Sequence, residues 1–213
     1  MSRKPTIIPT KNGPYRVSGA EVLKGLQDGR SFDVSGTVAL CRCGGSRNKP
    51  FCDGTHARNG FTDEKAPNRV PDRRDTYVGK DVTVHDNRGV CAHAGRCTDG
   101  LPAVFRLREE PFVDADGAPR EAIVAQVRQC PSGALSYSVD GVEHRDRESA
   151  PMMFIVPNGP YAIVGGAELA DTTFGEGASH EHFTLCRCGQ SQNKPFCSGA
   201  HWSVRFDEHA AGS

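Results

Sequence analysis

The sequence predicts an α+β chain in which two β-rich half-domains flank a small α/β unit, and three observations carry that expectation. Residues Cys41 to His56 read CRCGGSRNKPFCDGTH and residues Cys186 to His201 read CRCGQSQNKPFCSGAH, a repeat without gaps. Each copy follows a similar turn-and-strand segment, NGPYRVSGAEV from Asn12 and NGPYAIVGGAEL from Asn158. Between the copies lies a segment of different pattern with cysteines of its own at Cys91, Cys97 and Cys130.

In chain order, Tyr15 and Val17, like Tyr161 and Ile163, alternate as half-buried strands do. Thr37 to Leu40 and Phe183 to Leu185 are strand candidates that run straight into the first cysteine of each copy. The intervening stretches, Asp28 to Ser35 and Thr172 to His182, are poor in apolar residues and are expected to be loops. After each third cysteine a short helix is expected, with Asp53 or Ser198 as N-cap. In the middle unit Val82 and Val84 alternate as a strand. Pro119 to Gln129 reads as a helix with Ile123, Val124 and Val127 on one side and Pro119 at its start. Asp140-Gly141, between Ala134 to Tyr137 and Val142 to His144, signals a hairpin. Charged or proline-containing linkers around Thr62 to Thr76 and Arg145 to Pro151 divide the chain into 1–76, 77–148 and 149–213.

A chain of 213 residues holds two or three compact domains, and 37% hydrophobic content allows modest cores. Formal net charge is zero, so no basic field advertises nucleic acid or an anionic membrane. The basic run Arg69 to Arg74 contains Asp72 and reads as a solvated linker. The amino terminus has no apolar run that suits a signal sequence or a membrane span, so a soluble, cytoplasmic protein is expected. Nine cysteines are an odd number in three groups of three, which suits ligand triplets better than disulfides and implies a reducing compartment.

Both copies set Cys, Cys, Cys and His in the pattern C-x-C-x8-C-x3-H, at Cys41, Cys43, Cys52 and His56 and at Cys186, Cys188, Cys197 and His201. Three soft thiolates and one imidazole suit Zn(II) or an iron-sulfur cluster better than a hard cation. Cysteines separated by one residue are too close in sequence for a relaxed disulfide, but both can ligate one iron. The spacing therefore suggests a [2Fe-2S] cluster with the cysteine pair on one iron and the Cys/His pair on the other.

These residues resemble the CDGSH iron-sulfur domain family. Ser46, Pro50, Asp53, Gly54 and Thr55 occupy family positions in the first copy, and Ser191, Pro195, Gly199 and Ala200 do so in the second, where Ser198 stands in place of Asp. The resemblance implies one [2Fe-2S] cluster per motif, a partly exposed His ligand and a role in electron or cluster transfer. Single-motif members are homodimers, so the tandem chain resembles that dimer made intramolecular, a monomeric pseudo-dimer with a pseudo-twofold axis and both clusters on one face. A unit of about 50 residues buries too little surface alone, which points the same way. Residues expected around the clusters are Ser46, Lys49, Asp53, Ser191, Lys194 and Ser198. The two lysines, with Arg42 and Arg187, either offset cluster charge or face solvent.

The middle cysteines, Cys91-Ala-His-Ala-Gly-Arg-Cys97 and Cys130-Pro131, overlay the C-x2-C-x2-C and Cys-Pro run of cubane ferredoxins with Ala94 where the middle cysteine belongs. The segment resembles the divergent single-cluster 4Fe-4S ferredoxin domain. Three alternatives stand: His93 completes a [4Fe-4S] cluster, a [3Fe-4S] cluster sits on the three cysteines, or the cysteines are structural. His85, His144, His180, His182 and His209 have no partner pattern and are expected at the surface. Trp202 and Phe61 either shield a cluster or belong to a core.

No nucleophile elbow, P-loop or dinucleotide fingerprint is present, so no substrate-converting enzyme is expected. The leading expectation is one-electron transfer. The alternative is cluster transfer or redox and pH sensing through a labile His ligand. Redox partners or cluster acceptors would bind, not nucleic acid or membrane. A third possibility, a zinc-binding RNA module, rests on overlap of C-x8-C-x3-H with CCCH fingers. The C-x-C start, the neutral charge and the lack of interleaved aromatics count against it.

Overall fold

Short apolar alternations separated by glycine-rich turns make this a mostly β chain with few helices, and the structure, a computed structural model, describes residues 4–210. The first repeat forms β1 (Thr6–Pro9), β2 (Tyr15–Ser18), β3 (Val22–Gly25), β4 (Ser31–Asp33) and β5 (Thr37–Leu40). The middle unit forms β6 (Asp75–Val78), β7 (Thr83–Asp86), α1 (Arg96–Gly100), α2 (Arg120–Val127), β8 (Leu135–Val139) and β9 (Val142–His144). The second repeat forms β10 (Met152–Ile155), β11 (Tyr161–Val164), β12 (Glu168–Leu169), β13 (Phe183–Leu185) and α3 (Ala200–Ser203). The expected loop from Asp28 to Ser35 thus contains β4, whose Phe32 lies opposite Leu23 of β3 and packs edge-on against Phe51.

The repeats exchange strands. One sheet has the order β12-β1-β2-β5, so the second repeat lends β12 to the first, in parallel register Thr6 to Glu168 and Ile7 to Leu169. The other has the order β13-β11-β10-β3-β4, so the first repeat lends β3 to the second, also parallel, with Met153 opposite Leu23. The strands that alternate in sequence, β2 and β11, lie inside these sheets and bury Tyr15, Val17, Tyr161 and Ile163 almost completely. Tyr15 and Tyr161 meet edge to face with ring centroids 6.1 Å apart.

The middle unit is an antiparallel meander, β6-β7-β8-β9, with α2 packed against β8 and α1 against α2, and its Val84, Phe105, Ile123 and Tyr137 are buried in the same core as the repeats. The hairpin turn has positive φ at both Asp140 and Gly141, as a tight two-residue turn requires. Pro119 caps α2. Two surface expectations are corrected. Burial takes in His85, held between Thr76 and Ser138, and His182, held by Ser179 and Glu181; it lowers the pKa of both rings. The basic linker is solvated at Val70, Pro71 and Arg73 but pinned between them: Asp72 takes Arg69 and Asn193, and Arg74 reaches Glu143.

Candidate metal centres

Each repeat folds its cysteine loop back onto the strand that delivers it. β5 leads into Cys41, whose N–H donates to Pro50 O at 2.8 Å, and Cys52 N–H returns to Ala39 O at 2.8 Å. β13 does the same for Cys186 with Pro195 O at 2.8 Å and for Cys197 with Thr184 O at 3.0 Å. Ser46 and Ser191 brace the loop from within. Their hydroxyls donate to Phe51 O and Phe196 O, both at 2.6 Å, and accept from Asn48 N–H and Asn193 N–H.

The four donors of each motif stand in two pairs. Cys41 and Cys43 place their sulfurs 3.8 Å apart, and Cys186 and Cys188 place theirs 3.9 Å apart. Cys52 Sγ lies 3.4 Å from His56 Nδ1, and Cys197 Sγ lies 3.4 Å from His201 Nδ1. Two thiolates on one tetrahedral metal stand about 3.8 Å apart, and a thiolate and imidazole about 3.5 Å. A disulfide would need about 2.0 Å, and all nine cysteines are free. Among the described residues no three Cys, His, Asp or Glu side chains converge on one metal position. Each pair therefore has the separation of two ligands on one metal.

The electrostatics favour a cationic guest. Within each cysteine pair the contact between the sulfurs lowers the pKa of one thiol, Cys43 or Cys186, and raises that of its partner, while burial resists charging both. Burial also raises Cys52 and pushes Cys197 up to about 12. Backbone N–H groups of Gly45, Gly54 and Gly199 point at the sulfurs of Cys43, Cys52 and Cys197, each at 3.4 Å. Burial, then the charges of Arg187 and His93, lowers the pKa of His201 and keeps the ring neutral, the form in which it can ligate.

The expected caps are corrected. Gly54 and Gly199, in left-handed conformation at φ 83° and 76°, start the short helical turns after the third cysteines, because the chain reverses there before it coils. Asp53 lies one residue early and ties the loop instead: its carboxylate accepts from Arg47 N–H, Thr55 N–H and Thr55 Oγ1, which hold it well below the usual carboxylate range. Ser198 keeps the first of these contacts, accepting from Gln192 N–H at 3.2 Å.

Arg42 and Arg187 do not face solvent. Each is 2% exposed and braces the Gly-Pro turn before β2 or β11. Arg42 donates to Gly13 O, Thr10 O and Asp63; Arg187 donates to Gly159 O, Val156 O and Glu208. Their guanidinium groups lie over Tyr15 and Phe61, and over Tyr161 and Phe206. Lys49 donates to Ala210 O at 2.8 Å, while Lys194 lies 5.9 Å from the Phe61 ring centroid and near enough to Cys186 to favour its thiolate.

Sequence reasoning missed a crossed pair of tyrosines. Tyr15, in the first repeat, shares its hydroxyl proton between Cys186 O and Pro195 O, both at 2.9 Å. Tyr161, in the second, does so between Cys41 O at 3.0 Å and Pro50 O at 3.1 Å. The backbones meet directly as well, in an antiparallel bridge between Cys43 and Cys188. The repetition of Tyr in NGPY was the available signal.

In the middle unit α1 carries Cys97, the turn after α2 carries Cys130, and Cys91 ends the segment after β7. With Asp86, Arg88 and His93 they line one cavity of about 280 Å3. Burial raises Cys91 strongly, Cys97 to about 11 and Asp86 to about 6, so a metal's positive charge would relieve this pocket. His93, at φ 51°, turns its ring against the Cα of Gly199, where a Cβ would come within 2.8 Å of His93 Cδ2.

Comparison with known families agrees with this geometry. Residues 12–57 and 158–202 match the family described as iron-binding zinc finger, CDGSH type, and residues 77–140 match the divergent 4Fe-4S mono-cluster family. The chain belongs to the CDGSH family. Between its CDGSH motifs it carries a domain of the divergent 4Fe-4S mono-cluster type, which makes it an iron-sulfur binding protein. The chain is also 34% identical over 61 residues to the uncharacterized protein YjdI of Escherichia coli strain K12, a match covering 29% of this chain and 80% of that one. The YjdI protein of Escherichia coli O157:H7 matches to the same extent. No solved structure matches the chain. Among the described residues no helix is long and apolar enough to cross a membrane.

Proposed function

We propose that this CDGSH protein carries single electrons on two [2Fe-2S] clusters and one [3Fe-4S] or [4Fe-4S] cluster, converts no substrate, and works as a monomer with redox proteins as partners. The observation that carries the proposal is the division of each motif's donors into a cysteine pair and a Cys/His pair at metal-ligand separations. Reciprocal strand exchange and the crossed tyrosine bonds support packing of the motifs as an intramolecular pseudo-dimer.

When bound, each cluster supplies a reversible one-electron change. The chain's residues set the conditions. His56 and His201 each replace a cysteinate with a neutral ligand, which removes negative charge and raises the reduction potential relative to four cysteines. The backbone N–H groups that point at Cys43, Cys52 and Cys197 act in the same direction. Cys91, Cys97 and Cys130 would hold the middle cluster, and His93, lining the same cavity, would supply its fourth ligand if it is a cubane.

Iron and acid-labile sulfide quantification with EPR of the oxidised and reduced protein tests this. Sulfide is expected to match iron if the middle centre is [4Fe-4S] and to exceed it slightly if that centre is [3Fe-4S], with two similar [2Fe-2S] signals on reduction. A signal in the oxidised protein assigns the middle centre as [3Fe-4S], whereas a third signal seen only on reduction assigns [4Fe-4S]. An anaerobically purified, colourless protein with zinc and no labile sulfide would overturn the proposal.

Cluster transfer is the second reading, and half-burial of Cys52 and His56 favours it, since ligands must be reached to be exchanged. Metal ligation competes with protons for the imidazole. His56→Cys is therefore expected to slow acid-induced loss of the first cluster, followed by bleaching of its visible absorption. Unchanged acid lability would remove His56 from the process.

A further inference from the structure

The two CDGSH motifs are nearly identical in sequence yet differ in what lies over them. The middle unit seats on the second. Asn193 Nδ2 donates to Gly89 O at 2.7 Å, just before Cys91, and Trp202 Nε1 donates to His93 O at 3.2 Å. The His93 ring rests on Gly199, and Ser179 N–H reaches Gly133 O at 3.1 Å, just past Cys130. Under this cover Cys197 is 2% exposed and His201 6%.

At the first motif the positions equivalent to Asn193, Gly199 and Trp202 are Asn48, Gly54 and Ala57. Asn48 and Ala57 are exposed, nothing among the described residues lies within 4 Å of a Cβ placed on Gly54, and Cys52 and His56 are only half-buried. The Trp202 indole, 63% exposed and so not part of a core as the sequence allowed, reaches the middle unit through its N–H alone, and it has no counterpart at the first motif.

We propose that the first CDGSH centre is the one this protein opens to cysteine-bearing acceptor proteins, and that the middle unit seals the second, with Asn193 and Trp202 as the residues that hold the seal. The inference rests on the iron-sulfur reading above and assigns its exchange chemistry to one site. In the exchange the four bonds from Cys41, Cys43, Cys52 and His56 to iron are replaced by four from acceptor cysteinates, with no change of oxidation state. Of the four protons the acceptor thiols release, three go to the vacated cysteinates and one to solvent.

The test mixes fully loaded holoprotein, its iron and sulfide already counted, with excess apo-ferredoxin of the [2Fe-2S] type under anaerobic conditions, and counts clusters in each after separation. The wild type is expected to give up one [2Fe-2S] equivalent quickly and to keep the other. Cys52→Ser should lose the fast phase, and His56→Cys, which keeps a full ligand set, should slow it. The double variant Asn193→Ala with Trp202→Ala should release two equivalents at the fast rate while its EPR signals before mixing stay those of wild type. Loss of both equivalents from wild type at one rate, or a double variant that still retains one, overturns the inference. A starting sample without labile sulfide would instead fail the iron-sulfur reading.

Discussion

Gly44→Ala, and separately Gly189→Ala, is expected to disrupt both CDGSH centres at once. A Cβ at Gly44 would lie 2.5 Å from Cys188 O, and one at Gly189 would lie 2.4 Å from Cys43 O. Both glycines stand at φ 79°, a conformation that costs a residue with a side chain about 1–2 kcal/mol. The clash adds about 1–3 kcal/mol of overpacking, because the obstacle is backbone on both sides and has no rotamer to change. Total stability of a domain is only about 5–15 kcal/mol. Each variant should therefore purify with depleted iron and a markedly lower unfolding midpoint, and the two should resemble each other. A Gly44→Ala protein with wild-type iron content and midpoint would show that the Cys43–Cys188 bridge is not rigid.

The second large effect is crossed. Tyr15→Phe is expected to weaken the second centre, and Tyr161→Phe the first, although each tyrosine belongs to the opposite repeat. The hydroxyl is buried and serves two carbonyls of the cysteine loop. Pro195 O and Pro50 O also accept from Cys186 N–H and Cys41 N–H, so Cys186 O and Cys41 O lose most. A buried carbonyl stripped of its donor costs about 1–3 kcal/mol, and the sulfur next to it loses its fixed position. Faster loss of the opposite site's EPR signal during mild heating is the expected readout. Faster loss at the tyrosine's own site would reverse the assignment.

What could be read from the sequence was local. The ligand spacing, the strands that end at Cys41 and Cys186, the helix after Pro119 and the turn at Asp140-Gly141 all depend on neighbours within a few residues, and pattern is reliable at that range. Asp53 reads as a cap because its side chain suits the role, whereas the glycine after it takes the left-handed turn that decides where coiling starts. Arg42 and Arg187 escaped because their partners, the carbonyls of Gly13 and Gly159, lie far back along the chain. Phe61 and Asp63, aligned with Phe206 and Glu208, held the signal for that brace. Near-identical motifs hid the difference between the two sites. Only Trp202 against Ala57 betrayed it, and a lone tryptophan does not say what it will touch.

The traded strands have a consequence for biosynthesis. While the ribosome is still making the middle unit, β1 lacks β12 and β3 lacks β10, so the opening repeat waits with two unpaired edges. The meander of β6 to β9 uses only its own strands and can close first. The pocket around Cys91, Cys97 and Cys130 would then take shape before either CDGSH site, and the strands of the second repeat would complete both of those sites together.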